Sequence, residues 1–533
     1  MMLKTSSHFF KLLAILTLLL NISVEAICPL PGTIISETRF DPNINFSEPQ
    51  IVIDDSGNAI AIWSEGNATT FASSINYATH AKGGNWSPSQ PIPNIPGFVV
   101  GPQIAIGGLS GNAVAVWVQF DFFSGIPYLV SSQRPFATGV WSDYEIIGRS
   151  ASGGSLPTLA MNDSDQAIVV WVLDDDVNKT LTSAELSFGG TWTNTLSIQS
   201  LTDSVVTQKV ALDPSGVAYA VWIDPATNQV VASIHSISSP TWSTPLNLST
   251  GGNQTKPDVA AGSGGFAIAT WSSTSDFVIY SIEASAFQTI SWGSAVTINS
   301  PLTNSGAPVV AVDSANNGIV LWRDTGSGSS VFSAYRHYLT GIWDAPLQVS
   351  IPGLYSFGPD VAFDGLGVAH AVWSASIPGG VDVEYATANG SGPWSTVCDA
   401  ITAPDETNDL VNIAVDPTGY AVIDWLNTSL NAIQATFTPL SPIVSSIVPS
   451  SGTSEGGNTV IINGTSFDGT TAVLFGGVPA LSFTQVSSST IVAVAPPGVV
   501  GTTVNVTVTT GVGTSPTVPG DLYTYTAPIC WQR

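Results

Sequence analysis

The chain has 533 residues and a formal net charge of −26, with 12 Lys plus Arg against 38 Asp plus Glu. Only 9% of residues are charged, and 50 glycines and 35 prolines punctuate a chain rich in Val, Thr, Ser and Ala. That composition points to an all-β protein with many turns and little material for long helices. It offers no basic surface to displace counterions from phosphates, which excludes nucleic acid and anionic membranes as partners.

The first 26 residues read as a secretory signal peptide. Lys4 and Lys11 flank the start, Leu12 to Leu20 is apolar, and Val24-Glu25-Ala26 supplies small residues where a signal peptidase cuts. The apolar run is short for a membrane span, and no later stretch looks transmembrane. The mature chain is therefore expected to be secreted or held at a cell surface. Cys28, Cys398 and Cys530 are the cysteines. In an exported protein two of them can pair; the sequence leaves all three pairings open, with Cys28–Cys398, which would clip the ring shut, ahead of Cys28–Cys530.

From residue 27 to 438 the chain repeats. Trp63, Trp117, Trp171, Trp222, Trp271, Trp322, Trp373 and Trp425 recur at intervals of 54, 54, 51, 49, 51, 51 and 52 residues. A second series (Trp86, Trp141, Trp192, Trp242, Trp292, Trp343 and Trp394) follows 20 to 24 residues behind. A period near fifty marks a repeat architecture. Each unit opens with an apolar strand, such as Val210-Ala211-Leu212, usually after a proline such as Pro49 or Pro359. Six residues before each first-series tryptophan stand Gly57, Gly111, Asp165, Gly216, Gly265, Asn316, Gly367 and Gly419. Gly, Asn and Asp tolerate a left-handed backbone, so this column predicts a positive φ in a hairpin turn. Four residues before the tryptophan stand Ala59, Ala113, Ala167, Ala218, Ala267, Gly318, Ala369 and Ala421. Small side chains there imply a close neighbouring layer, and the Val and Ile between them imply a strand buried on both faces.

Third and fourth strands complete a four-stranded unit, which is the logic of a propeller blade. The eighth unit has no second tryptophan. Gly32 to Glu37 is the candidate for its missing strand, closing the ring by pairing chain start with repeat end. The expectation is an eight-bladed β-propeller closed by its N-terminal strand, with seven blades as the alternative. This part resembles secreted bacterial-type β-propeller repeat proteins of no identified enzyme family. It lacks the paired glycines of kelch blades and the Gly-His to Trp-Asp pattern of WD40 units. The Asp-x-x-Gly turn is only loosely similar to the Asp-box of sialidase-type propellers.

The tryptophan rhythm stops near Pro439. Beyond it come Pro442-Ile443, Ile447-Val448-Pro449 with Ser451-Gly452, Gly456-Gly457 and Ile461-Ile462-Asn463-Gly464. Phe467, Val473-Leu474-Phe475-Gly476-Gly477 with Ala480, Ile491 and Pro496 follow, then Val504-Asn505-Val506-Thr507-Val508 and the tyrosines Tyr523 and Tyr525. In this order these landmarks resemble the immunoglobulin-like IPT/TIG domains of plexins and some transcription factors. The resemblance implies a β-sandwich over 439–533 and no catalysis.

A catalytic constellation is hard to find in the sequence. His80, His235, His337 and His370 fall in separate units, outside any metal motif. Arg39, Arg134, Arg149, Arg323 and Arg336 share no repeat position, as a sialidase-like arginine cluster would require. No catalytic residue, metal or cofactor is implied. Two residues past the first-series tryptophans stand Glu65, Gln119, Leu173, Asp224, Ser273, Asp324, Ala375 and Asn427, with Asp174-Asp175-Asp176 clustered in the third loop. Glu65, Asp174, Asp224 and Asp324 are thus the candidate ligand-binding rim. The leading expectation is an exported, non-enzymatic binding protein that recognises a glycan or protein. A carbohydrate-active hydrolase with two opposed carboxylates is the first alternative, and a structural cell-surface protein the second.

Overall fold

The computed structural model describes residues 28–528 apart from 30–31, 37–43, 68–72, 94–96, 122–123, 152–154, 205, 252, 275–278, 286–290, 299–304, 327, 399–400, 403–405, 440, 468, 488 and 512. The expected signal peptide, Arg39, the Glu37 end of the closing strand and Cys530 lie outside the described residues.

Eight antiparallel sheets follow one another between Thr33 and Phe437. The first contains Ile44–Ile53, Ala59–Asn67, Ser73–His80 and Gln90–Pro91 in simple up-and-down order. The next five keep that order, with the outermost strand of the fifth and sixth split in two. In the seventh, Gly380–Asn389 carries, among the described residues, single paired residues beyond its partner strand, Val381 with Thr407, Tyr385 with Cys398 and Ala388 with Trp394. The eighth comprises Asn408–Val415, Ala421–Asn427 and Ala432–Phe437, and its outer strand is Thr33–Ile34. Thr33 pairs with Ala435 and Ile34 with Gln434. Gly32, which leads into that strand, lies against the Trp425 ring so closely that a Cβ would sit 2.4 Å from it.

The tryptophan columns explain how the sheets hold together. The eight first-series tryptophans are at most 1% exposed. Each packs on the sheet before it: Trp117 with Ile60 and Ile62, Trp222 with Ile168 and Val170. Trp63 of the first sheet packs with Tyr420, Val422 and Ile433 of the eighth. Truncating a buried tryptophan to alanine costs about 3–5 kcal/mol. The second series also reaches back one sheet. Trp192, Trp242 and Trp394 donate their indole N–H to Ser131, Ser183 and Ser333, each at 2.8 Å. The first strands of successive sheets lie side by side, and Ile44–Ile53 lies beside Asn408–Val415. Side chains stitch them to neighbouring main chain, as where the Ile413 amide donates to Asp360 and Asn412 donates to the Pro49 carbonyl.

All eight turn positions have positive φ, from 59° at Asp165 to 87° at Gly216. The two that are not glycine have a specific reason. In most sheets the turn opens with Asp or Asn, as Asp54, Asn162, Asp213, Asp313, Asp364 and Asp416 do, accepting amides two and four residues on. The second and fifth sheets have Gly107 and Gly262 there instead. Their missing side chains leave room for Asp165 and Asn316 of the following sheet, whose Oδ1 atoms lie 2.4 Å and 2.1 Å from where a Cβ would stand. Asp165 accepts from the Ser110 hydroxyl and the Asn112 amide, and Asn316 accepts from the Ser263 amide. A left-handed residue with a short polar side chain thus replaces the cap its neighbour lacks.

The C-terminal part is a sandwich. One sheet pairs Ile443–Val448, Thr459–Thr465, Thr490–Val494 and Ser482–Ser487; the other is built on Thr503–Thr510, Ala472–Phe475 and Leu522–Thr526. Val460, Ile462, Phe467, Phe475, Val506 and Tyr523 fill the space between them. The described residues contain no α-helix, only a 3₁₀ turn at Pro519–Asp521.

A disulfide joins Cys28 to Cys398 across 370 residues, tying the segment before the closing strand to the seventh sheet. A cross-link spanning so long a loop contributes about 2–5 kcal/mol. Cys28→Ser is expected to lower the melting temperature of the repeat part. Reductant should lower that of the native chain to the same value and leave the variant's unchanged. Equal melting of native and variant chains without reductant would show the bridge to be absent in solution.

Candidate functional site

The four acids named for the loop rim each accept hydrogen bonds within their own sheet, and each stands in a different sheet. Asp224 accepts from the Thr227 hydroxyl at 2.8 Å and is 8% exposed. Asp324 accepts from Ser305 at 3.1 Å and the Gly326 amide at 2.8 Å and is 3% exposed. Glu65 accepts from Asn76, and Asp174 accepts the Asp176 amide at 3.0 Å. Asp176 pairs with Arg149 at 2.8 Å on the surface. Gln119, Ser273 and Asn427 in the same column are buried. Asp174, Asp224 and Asp324 cap the turn between second and third strands, whereas Glu65 is bonded across those two strands by Asn76.

At the opposite end of the strands the sandwich meets the repeats, and a cavity of about 610 Å³ opens between them. The seventh sheet contributes Asp364, His370, Tyr385 and Thr387; the eighth contributes Thr418, Gly419 and Tyr420. Lys82 reaches in from the first sheet, and Ile443, Thr465, Ser466 and Pro516 come from the sandwich. His370 takes a position three before the tryptophan that Ile, Val or Tyr holds in the other seven repeats. It is 5% exposed. Its Nδ1 bonds the Tyr385 hydroxyl at 2.6 Å, and its Nε2 stands 3.7 Å from Asp364 Oδ2. No protein atom completes a hydrogen bond to Nε2, nor to Ser466 Oγ on the sandwich side. Ser466 holds φ at +57°, a left-handed conformation that serine rarely adopts. A buried polar group without a partner costs about 1–3 kcal/mol.

The electrostatics of the cavity are mixed. Burial raises the Asp364 carboxyl, but the neighbouring His370 and the hydrogen bonds from the Val368 and Leu366 amides outweigh it and hold the group below the usual carboxylate value. Asp364 is therefore ionised. Burial pushes the Tyr385 and Tyr420 phenols up, so both keep their protons. Lys82 is paired with Asp416 and also donates to Thr418 at 2.7 Å. Behind this wall, His80 bonds Tyr420 at 2.5 Å and stacks on Phe437 at 4.5 Å. Burial lowers its pKa to about 4 and keeps it neutral. His235 and His337 lie elsewhere, paired with Glu185 and Asp344.

A second set of polar groups lies along the first strands. The Asp258 carboxyl accepts the Val310 amide at 2.9 Å, and Asp360 accepts the Ile413 amide at 3.0 Å. Both lie deep in the fold while keeping some solvent contact. Burial raises both, Asp360 to about 6. Asp424 is wholly buried and takes a position that the other repeats fill with Ile, Val, Leu or Thr. It accepts from Asn412 at 2.9 Å. Burial, with a contribution from Asp360, pushes it to about 8. No group of three or more His, Cys, Asp or Glu able to hold a metal occurs among the described residues.

Residues 442–525 match the IPT/TIG domain family. No curated protein is similar to the chain at the level of sequence. Among solved structures, a fungal alcohol oxidase of the AA5 family is 10% identical, with TM-score 0.42, over 83% of this chain and 100% of that one. An ulvan lyase of polysaccharide lyase family 25 is 10% identical, with TM-score 0.43, over 61% of this chain and 89% of that one. The Hadza microbial sialidase Hz136 is 12% identical, with TM-score 0.36, over 55% of this chain and 66% of its own length. Likeness at this level carries no functional argument.

The Asp424 carboxyl makes stability depend on pH. The folded state holds its proton up to about pH 8, whereas an unfolded chain releases it near 3.8. Its contribution is complete on the acid side and is lost as pH rises through about 8. Asp424→Asn can keep the bond from Asn412 and removes the titration. Melting curves from about pH 5 to about pH 9 should show the native chain losing stability relative to the variant as pH rises. Parallel curves would mean that Asp424 titrates normally. The segment 442–525 is an IPT/TIG domain.

Proposed function

We propose that the chain is an exported, non-enzymatic binding protein whose glycan or protein ligand docks in the cavity between the repeats and the IPT/TIG sandwich. The eight sheets are read as eight blades of a propeller, closed by Thr33–Ile34 in the last blade. Packing of Trp63 against the eighth sheet and the first strand that sheet owns both favour eight blades over seven. Export is supported by the signal-like N-terminus and by the Cys28–Cys398 disulfide, which suits an oxidising compartment. None of the helices in the described residues is long and apolar enough to cross a membrane.

The observation that carries the binding role is the cavity itself, about 610 Å³ between two folds, with Asp364, His370, Tyr385, Thr387 and Ser466 in its lining. Pockets of about 300–1,000 Å³ with a few placed polar groups are the usual form of a ligand site. The raised carboxyls of Asp360 and Asp424 favour a second reading, a carbohydrate hydrolase, because such a group can serve as general acid. Against it, both carboxyls already accept bonds that join strands within and between the sheets.

The test is to present the full secreted chain to parallel glycan and protein arrays and to assay it on aryl glycosides. Binding to either array without glycoside turnover is the expected result. Silence on both arrays would end the binding reading. Turnover abolished by Asp424→Asn would install the hydrolase in its place.

A further inference from the structure

We propose that the outer edge of Ala432–Phe437 is a strand-acceptor site. The Cys28–Cys398 bridge keeps it filled by the chain's own residues 32–36, and reduction of the bridge opens it to the same segment of a second copy. The inference stands on the pairing of that segment with the eighth sheet and is independent of the binding role above.

The segment is short, and its partners are remote. Thr33 pairs with Ala435 and Ile34 with Gln434. The Ile35 amide donates to the Ile433 carbonyl at 2.9 Å, and the Ile433 amide donates to the Ser36 hydroxyl oxygen at 3.1 Å. The side-chain bonds of Ser36 and Thr33 span 397 and 402 residues. Closing so long a loop costs entropy that a few strand hydrogen bonds must offset. The bridge lowers that cost by holding the chain just before Gly32 against the seventh sheet, while beyond Ser36 the chain runs into Ile44–Ile53 of the first. A strand tied at both ends occupies its edge at high effective concentration, and an incoming strand cannot compete. A strand tied at one end can leave. The N–H and C=O groups on the outer side of Ala432–Phe437 then form a template for another strand.

Three features make a second copy the occupant. Position 32 must be glycine, because a Cβ there would overlap the Trp425 ring. Further along the segment, Ile35 is 4% exposed and fills an apolar site beside Trp63, Tyr420 and Ile433. Residues 28–36 and Ala432–Phe437 carry no charged side chain, so two chains of net charge −26 can meet at this edge without opposing like charges there. A strand from another copy brings the same glycine and isoleucine at the same spacing.

The bridge is open to attack from one side. Cys28 is exposed, whereas Cys398 is 3% exposed. A dithiol reductant acts through its thiolate, whose sulfur bonds to the Cys28 sulfur as the S–S bond breaks. Cys398 leaves as a thiolate and takes up a proton. The reductant's second thiol then displaces Cys28 as a thiol, and the reductant ends as a disulfide.

The probe is a labelled synthetic peptide of residues 29–36, with a Gly32→Val peptide as its control. Both are titrated by fluorescence polarisation against the full secreted chain, oxidised and after dithiol reduction. They are also titrated against Cys28→Ser, kept in reductant so that Cys398 and Cys530 stay thiols. The native peptide is expected to bind the reduced chain and the variant at least about tenfold more tightly than the oxidised chain. The control should bind about tenfold more weakly than the native peptide, the scale of one overpacked contact. Light scattering should show dimers of the reduced chain that grow with concentration and dissolve in excess peptide. Equal peptide binding by oxidised and reduced chains would show that the bridge guards nothing. Equal binding of the two peptides would place the contact away from the eighth sheet. A reduced chain that still melts cooperatively, stays monomeric and takes up no peptide would overturn the acceptor site. Loss of cooperative melting in both the reduced chain and the variant would overturn it too, because the bridge would then support the whole ring rather than one edge.

Discussion

The constraint on which the molecule depends is that none of its repeating sheets can bury both faces alone. The second strand of each is apolar on both sides, so every sheet must have a sheet before it and another after it. The first-series tryptophan supplies the largest buried surface at that contact, always against the preceding sheet. An alanine or glycine four residues earlier lets the layers approach. A linear stack would leave the first and last sheets exposed. Trp63 on the eighth sheet, together with Thr33–Ile34 at its outer edge, is the answer that the contacts give.

The turns show how far neighbouring repeats depend on one another. Asp165 and Asn316 look like random departures from glycine within their own repeats. They become intelligible only across the boundary, where Gly107 and Gly262 have surrendered the capping carboxylate. The hydrogen bonds to Ser110 and Ser263 compensate for residues held in the left-handed region. The repeat is therefore conserved in function at the level of the pair of sheets, and each turn is read against the next.

Much of the architecture was legible because it recurs. The tryptophan spacing, the positive-φ column and the small-residue column each had eight instances, and the strands formed where those columns placed them. The IPT/TIG landmarks were legible for a different reason, an ordered set of turns and core residues that matches a family over 442–525. The candidate site was not legible, because a recurrence-based reading averages away what occurs once. Three of the rim acids, Glu65, Asp224 and Asp324, share a column, and Asp174 comes from the Asp174-Asp175-Asp176 cluster beside it. The signal that did exist was the opposite kind: His370 and Asp424 each put a polar group where the other repeats are mostly aliphatic. Neither stands out until the columns are aligned position by position. Even then, bringing His370 and Ser466, 96 positions apart, to one cavity requires the sandwich to be in place.

Both departures fall in the last two repeats, and this has a physical reason. The turn ends of the sheets start out equivalent, and an equivalent position cannot mark one site. The chain leaves the repeats after Phe437 and enters the sandwich at Ile443, so the short connection brings the sandwich against the ends of the seventh and eighth sheets. Those two sheets, with Lys82 from the first, face the sandwich there and form one wall of the cavity. His370 lines that cavity at a position that Ile, Val or Tyr holds in the other repeats. Asp424 belongs to the other asymmetry of the molecule, the seam where the eighth sheet meets the first. There Asn412 bonds both Asp424 and the Pro49 carbonyl. A buried carboxyl that is neutral below about pH 8 can be held in such a seam without an ion partner, whereas a permanently charged group could not.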